Sequence, residues 1–238
     1  MFQTDPFTLI VLFVGLSLLP FVAMIATSYL KIVIVMSLIR NALGIQSIPP
    51  NMVLNALAMI LSFYIMAPVM SESWSIAQKE LAVPAAVQVG APAANPAAAS
   101  TNQTLSALSL NTDAVAKAAE PFRKFLSAHT SARERTFFVS TAETLWGKDG
   151  KPATVDPESF YILIPSFCVS ELTKAFQIGF LVYLPFIAID IIVSNILLAM
   201  GMMMVSPVTI SLPFKLLLFV MVNGWTLLIQ GLVRGYIL

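Results

Sequence analysis

Five ionisable residues sit inside long apolar runs of this chain: Lys31, Glu171, Lys174, Asp190 and Lys215. A charge surrounded by hydrocarbon is expensive unless it is paired or lines water, so each needs a reason to be there. Glu171 and Lys174 are three residues apart and meet on one face of a helix. Asp190 has no opposite charge within helical reach, so its partner comes from elsewhere in the chain or from another copy. Two chemistries fit such a set. One is the proton or ion relay of a small-solute transporter, built around Asp190 and Lys174. The other is structural ion pairing, which the lack of a second acidic residue at helical spacing from Asp190 favours.

A second group stands in the stretch GMMMVSP, residues 201–207. Successive helical residues point about 100° apart, so Met202, Met203 and Met204 cannot form one packing stripe on a helix. At an irregular turn, with several copies in a ring, all three could converge on a common centre. Methionine is unbranched and adaptable, suited to closing around nothing and yielding to irregular cargo. The plainer alternative is that the three methionines continue the apolar run of ILLAM before them. Local sequence leaves both readings open.

Catalytic patterns are missing. The chain has no GxSxG elbow, phosphate-binding loop, HExxH or CxxC pair, so it reads as a non-enzyme that needs no cofactor. His129 is the single histidine and has no second ligand at metal-binding spacing. Cys168, the single cysteine, reads as a buried structural thiol. A net charge of +1 with no basic run excludes a nucleic-acid surface.

The elements that must carry these residues follow from composition. Of 238 residues, 58% are hydrophobic and 11% charged. A soluble domain is nearer a quarter charged, so this is a membrane-class protein. Outside residues 71–159 the charges are only Asp5, Lys31, Arg40, Glu171, Lys174, Asp190, Lys215 and Arg234. The plan is all-α: a hydrophobic helical block at 1–70, a polar insert at 71–159 and a second hydrophobic block at 160–238. Residues 7–39 would run about 50 Å as one helix, well beyond the ~30 Å hydrocarbon core, and a kink is expected at Pro20. RNALGIQSIPPN (40–51) is a turn-rich connector, and 52–70 is a bare span. Residues 175–200 would again exceed the hydrocarbon core, with Pro185 the expected kink.

In the insert, Ala, Pro and Gly dominate 82–100, which reads as a disordered linker. Residues 112–131 have helical spacing, complicated by Pro121. The opening MFQTDPF lacks the basic residues of a signal peptide, so the N-terminus is expected to be retained. Arg40 and Lys215 mark the short connectors, which by the positive-inside rule places both termini and the insert outside the cytoplasm.

The stretches RNALGIQSIPPN and SELTKAFQIGFLVYLPFIAIDIIVSNILLAMGMMMVSPVTISLPFKLLLFVMVNGW closely resemble the SctR/FliP family, core export-gate proteins of bacterial type III secretion systems and flagella. The likeness covers about residues 7–70 and 160–235, with FRKFLSAHTSARERTFF also in keeping, and the whole-chain pattern looks more like the injectisome branch. The resemblance implies a homopentamer joined by one copy of a related (SctT/FliR-like) subunit and several copies of a small two-helix (SctS/FliQ-like) subunit. It further implies contact with larger export-gate and switch subunits, unfolded secreted proteins as cargo, and an inner-membrane location with much of the assembly lifted to the periplasmic side. Met202, Met203 and Met204 match the family's methionine gasket. By analogy with family ion pairs, Glu171 is expected to pair with Lys215, and Asp190 with Lys31, across neighbouring subunits. Asn195 and Asn223 are expected at contacts between helices. A pure scaffold without a pore is the third possibility.

Overall fold

The computed structural model describes residues 6–45, 48–86, 112–147 and 154–237, and among them every regular element is an α-helix. In chain order these are α1 (Pro6–Ile25), α2 (Tyr29–Ala42), α3 (Asn51–Ala86), α4 (Thr112–His129), α5 (Ala132–Leu145), α6 (Phe160–Ala199), α7 (Pro207–Met221) and α8 (Gly224–Arg234). The linker expected to be disordered at 82–100 closes α3 with its first five residues; the rest lies outside the described residues.

The first long apolar run does break, but not at its proline. Pro20 lies within α1, and the bend of 56° falls where α1 meets α2, at residues 26–28. Proline costs one backbone bond, which an otherwise regular helix can absorb. At 26–28 the chain instead hands its polar groups to hydroxyls packed on α3. Ser28 Oγ donates to Ser62 Oγ at 3.1 Å, Ser62 Oγ to Thr27 Oγ1 at 3.3 Å, and the Tyr29 N–H to Thr27 Oγ1 at 3.4 Å. Similarly, α6 runs unbroken for 40 residues through both Pro165 and Pro185, and α4 runs through Pro121. The second apolar segment is also longer than its apolar part suggests, because α3 carries on through the polar residues past 70 to Ala86. The first breaker past 70 is Pro84, in the helix's last turn.

Helix α6 is the spine: α2, α4, α5 and α7 all pack on it, and α2 also packs on α3, as does α4. The stripe Ile32, Val35, Met36 and Ile39 on α2 has the three–four spacing of a buried helix face, and it meets Leu54 and Ala58 of α3 and Ala175 of α6. The α2–α6 crossing is close because Gly179 has no side chain; a β-carbon there would lie 2.3 Å from Leu38 Cδ1. A second cluster gathers Met66, Phe125, Leu126, Leu163, Phe167 and Tyr236 where α3, α4 and α6 meet the turn after α8.

By length and composition, Asn51–Lys79 and Phe160–Ala199 could each cross a membrane, and the bent pairs α1–α2 and α7–α8 could supply two more spans. Much of α6 and α7 is bare apolar surface: Ile192, Ile196, Phe214, Leu217 and Val220 are all exposed. Such a face requires lipid or other chains against it.

Candidate functional site

Helix α6 ends because Gly201 adopts φ +74°, a conformation free of strain only for glycine. The Gly201 N–H then bonds the Leu198 carbonyl at 3.0 Å, and the Met202 N–H bonds the Leu197 carbonyl at 2.9 Å. That pairing satisfies two of the helix's last carbonyls and turns the chain sharply outward. On the far side, Ser206 is extended and Pro207 opens α7 with its fixed φ and no N–H to satisfy. Held at both ends, the loop pushes its methionines outward. Relative exposure climbs from 45% at Met202 to 83% at Met203 and 101% at Met204. The triplet is therefore not a buried continuation of ILLAM. It is the apolar tip of a helical hairpin.

About a dozen residues on either side of that tip the hairpin carries opposite charges. Lys215 Nζ of α7 lies 2.6 Å from Asp190 Oδ2 of α6, and Ser211 Oγ donates to Asp190 Oδ1 at 2.6 Å. Lys215 Nζ also donates to the Ala42 carbonyl at 3.3 Å, so it caps the last turn of α2. One buried ammonium thus ties three helices together, with its side chain only 4% exposed.

A second cluster lies near the other end of α6. Glu171 is fully buried, and Lys31 of α2 reaches it at 3.0 Å while Lys174 reaches it at 2.9 Å. Tyr236, in the turn after α8, donates its hydroxyl to Glu171 Oε2. Its ring lies under Lys31 Nζ, 3.5 Å from the centroid. Burial first, and the Glu171 carboxylate second, push the Tyr236 phenol well above its ordinary range, so it stays protonated and remains a donor. Lys174 Nζ donates in addition to the His129 carbonyl at 2.6 Å, capping α4 as Lys215 caps α2. His129 itself is buried, its ring tilted against Phe125 at 4.5 Å and 5.1 Å from the Tyr236 ring, with Nδ1 bonded to the Phe125 carbonyl at 2.8 Å. Four segments, α2, α4, α6 and the turn after α8, converge on a single carboxylate.

These contacts correct one sequence expectation. Lys31 pairs with Glu171 and Lys215 with Asp190, the reverse of the expected partners, and all four find their partners within their own chain. Chain direction explains the exchange. α7 doubles back from the end of α6, so it meets that helix's second half, whereas α2 brings its Lys31 end to the first half and only its last turn to the second. The expected Glu171–Lys174 contact is present. Cys168 is half-buried on α6, not fully buried as expected. Asn223 takes a left-handed conformation (φ 51°) at the break between α7 and α8, a turn that asparagine tolerates. Tyr236, Ser211 and the two capping carbonyls were missed. The signal for Ser211 was available, one helical turn before Lys215 and opposite Asp190 across a hairpin; nothing near Tyr236 in sequence marks its place.

The FliP family model matches residues 12–232. The chain is 47% identical over 236 residues to the Yop proteins translocation protein R of Yersinia pestis, covering 98% of this chain and 97% of that protein. It is 46% identical over 229 residues to the hypersensitivity response secretion protein HrcR of Ralstonia nicotianae, covering 96% of each. It is 38% identical over 228 residues to the flagellar biosynthetic protein FliP of Bacillus subtilis, covering 96% of this chain and 90% of that protein.

Proposed function

Because this chain belongs to the FliP family and is a membrane component of a protein-export apparatus of the type III secretion, injectisome kind, we propose that it is the pore-forming subunit of the export gate. In this reading several copies, five by family analogy, place their α6–α7 tips around one axis. They conduct unfolded secreted proteins across the bacterial inner membrane, and much of the ring stands on the periplasmic side. The related SctT/FliR-like subunit and small SctS/FliQ-like subunits complete the ring, and larger export-gate and switch subunits deliver cargo. The role is passage, not catalysis.

The observation that carries this is the hairpin tip. Three consecutive methionines stand exposed, the last two almost wholly, on a short loop whose ends are fixed by Gly201 and Pro207. Bare thioethers in a lone chain cost hydrophobic free energy; gathered from several copies they bury one another and leave no room for ordered water. A dewetted apolar constriction stops ions at rest, and flexible unbranched side chains can turn aside for a polypeptide. The Asp190–Lys215–Ser211 cluster ties the two arms of the hairpin together behind its tip. Asp190 and Lys174 belong to different clusters, about 24 Å apart along α6, and each is bonded to structural partners, which supports pairing over a transport relay.

The test is to replace Met202, Met203 and Met204 together with alanine and record membrane conductance. The reading expects the ring to assemble and to leak small ions. A ring that assembles and stays as tight as the parent contradicts it.

A further inference from the structure

Helix α8 rests on the core along one narrow face, where Trp225, Leu228 and Ile229 pack half-buried against the cluster that includes Leu232. Of its 11 residues only Gly224 and Leu232 are buried, one near each end. At the first end lies an elbow. α7 and α8 meet at 59°, the break is made by Asn223 in its left-handed conformation, and Gly224 packs directly on the Phe219 ring. Beyond the second end, two short backbone bonds, Tyr236 N–H to Val233 at 3.0 Å and Ile237 N–H to Arg234 at 3.1 Å, curl the chain so that Tyr236 points inward. The Tyr236 side chain then meets Glu171, Lys31, Phe125 and His129, which come from three different helices.

We propose that Tyr236 is a latch: its hydroxyl on Glu171 and its ring beneath Lys31 fasten the far end of α8, and so fix the angle of the α7–α8 elbow. The physical case is leverage. α7 is clamped by Lys215 to Asp190, about midway between the elbow and the methionine tip. α8 is clamped at Tyr236. Between the two clamps lies a bend made by a residue that holds no side-chain cap. Releasing Tyr236 frees one arm of the elbow and leaves Glu171 still neutralised by Lys31 and Lys174. The latch stands on this geometry alone; that it also steadies the methionine tip rests on the gate reading above.

Hydrogen exchange of the detergent-extracted complex tests it, with Tyr236→Phe and Tyr236→Ala beside the parent. Losing one hydrogen bond to a buried carboxylate should speed exchange across 224–234 by about tenfold in Tyr236→Phe, and further in Tyr236→Ala, with α2 unchanged. Unchanged exchange at 224–234 in both variants overturns the latch. So does uniform acceleration across the whole chain, which would mark Tyr236 as ordinary core; the milder Tyr236→Phe keeps that comparison available if the alanine variant misfolds. Conductance of the same variants separates the two claims. Selective loosening of α8 with extra leakage supports both, while loosening with an unaltered seal keeps the latch and overturns its link to the gate.

Discussion

Changing Glu171 to glutamine removes one charge and almost no volume from the most buried carboxylate among the described residues. Glu171 is 0% exposed, and Lys31 beside it is 3% exposed. Lys174 differs: its side chain is 40% exposed and can swing outward while keeping its stem on α6. The cost therefore falls on Lys31, left as a buried ammonium beside a neutral amide. Breaking a buried pair by removing one partner costs about 3–5 kcal/mol, and the amide oxygen still accepts a bond, so the low end, about 3 kcal/mol, applies. For a chain of this size that lowers the unfolding midpoint by about 6–12 °C. Thermal unfolding of the purified protein, followed by circular dichroism in one detergent, reads it. Lys31→Met in the Glu171→Gln background should restore much of the loss, with a coupling of about 2 kcal/mol. Lys174→Met alone should cost less than about 1 kcal/mol. A midpoint within about 2 °C of the parent for Glu171→Gln, or single costs that simply add, would refute the reasoning.

Four other substitutions read different parts of the structure. Gly224→Ala drives a β-carbon to 2.2 Å from the Phe219 ring and should cost about 1–3 kcal/mol, whereas Gly231→Ala, with open space around it, should be neutral or stabilise by up to about 1 kcal/mol; a thermal midpoint for each decides. At Gly201 an added β-carbon meets no atom within 4 Å, so Gly201→Ala costs only the backbone strain of φ +74°, about 1–2 kcal/mol, and a midpoint equal to the parent would show that the turn simply rearranges. Asp190→Ala leaves Lys215 buried without its carboxylate and should reduce the recovery of assembled complex on native gels; a normal yield would show that the hairpin does not need this clamp.

Helical class, apolar blocks and the methionine turn were legible because each is set by local chemistry. Gly201 and Pro207 act within one turn of themselves, and a run of apolar residues announces its helix without help from the rest of the chain. Partner choice is different. Whether Asp190 meets Lys31 or Lys215 depends on which helix lies along which half of α6, and a search along one helix face cannot answer that. The hairpin would have answered it, since 190 and 215 stand nearly level across the turn. Pro20 misled for a related reason. Proline marks where a helix can bend, but the bend fell where Thr27 and Ser28 find hydroxyl partners on α3, and that partner is 34 residues away in sequence. Tyr236 had no local signal at all. A tyrosine in a short polar–apolar turn reveals nothing until α2, α4 and α6 are packed around it.

The most direct test of the central claim is a density map of the assembled complex resolved well enough to place residues 202–204. The account predicts methionine side chains from every copy meeting at the narrowest point of a central channel. Methionines lying on the outer wall, turned toward lipid or a neighbouring protein with the channel lined by other residues, would contradict it.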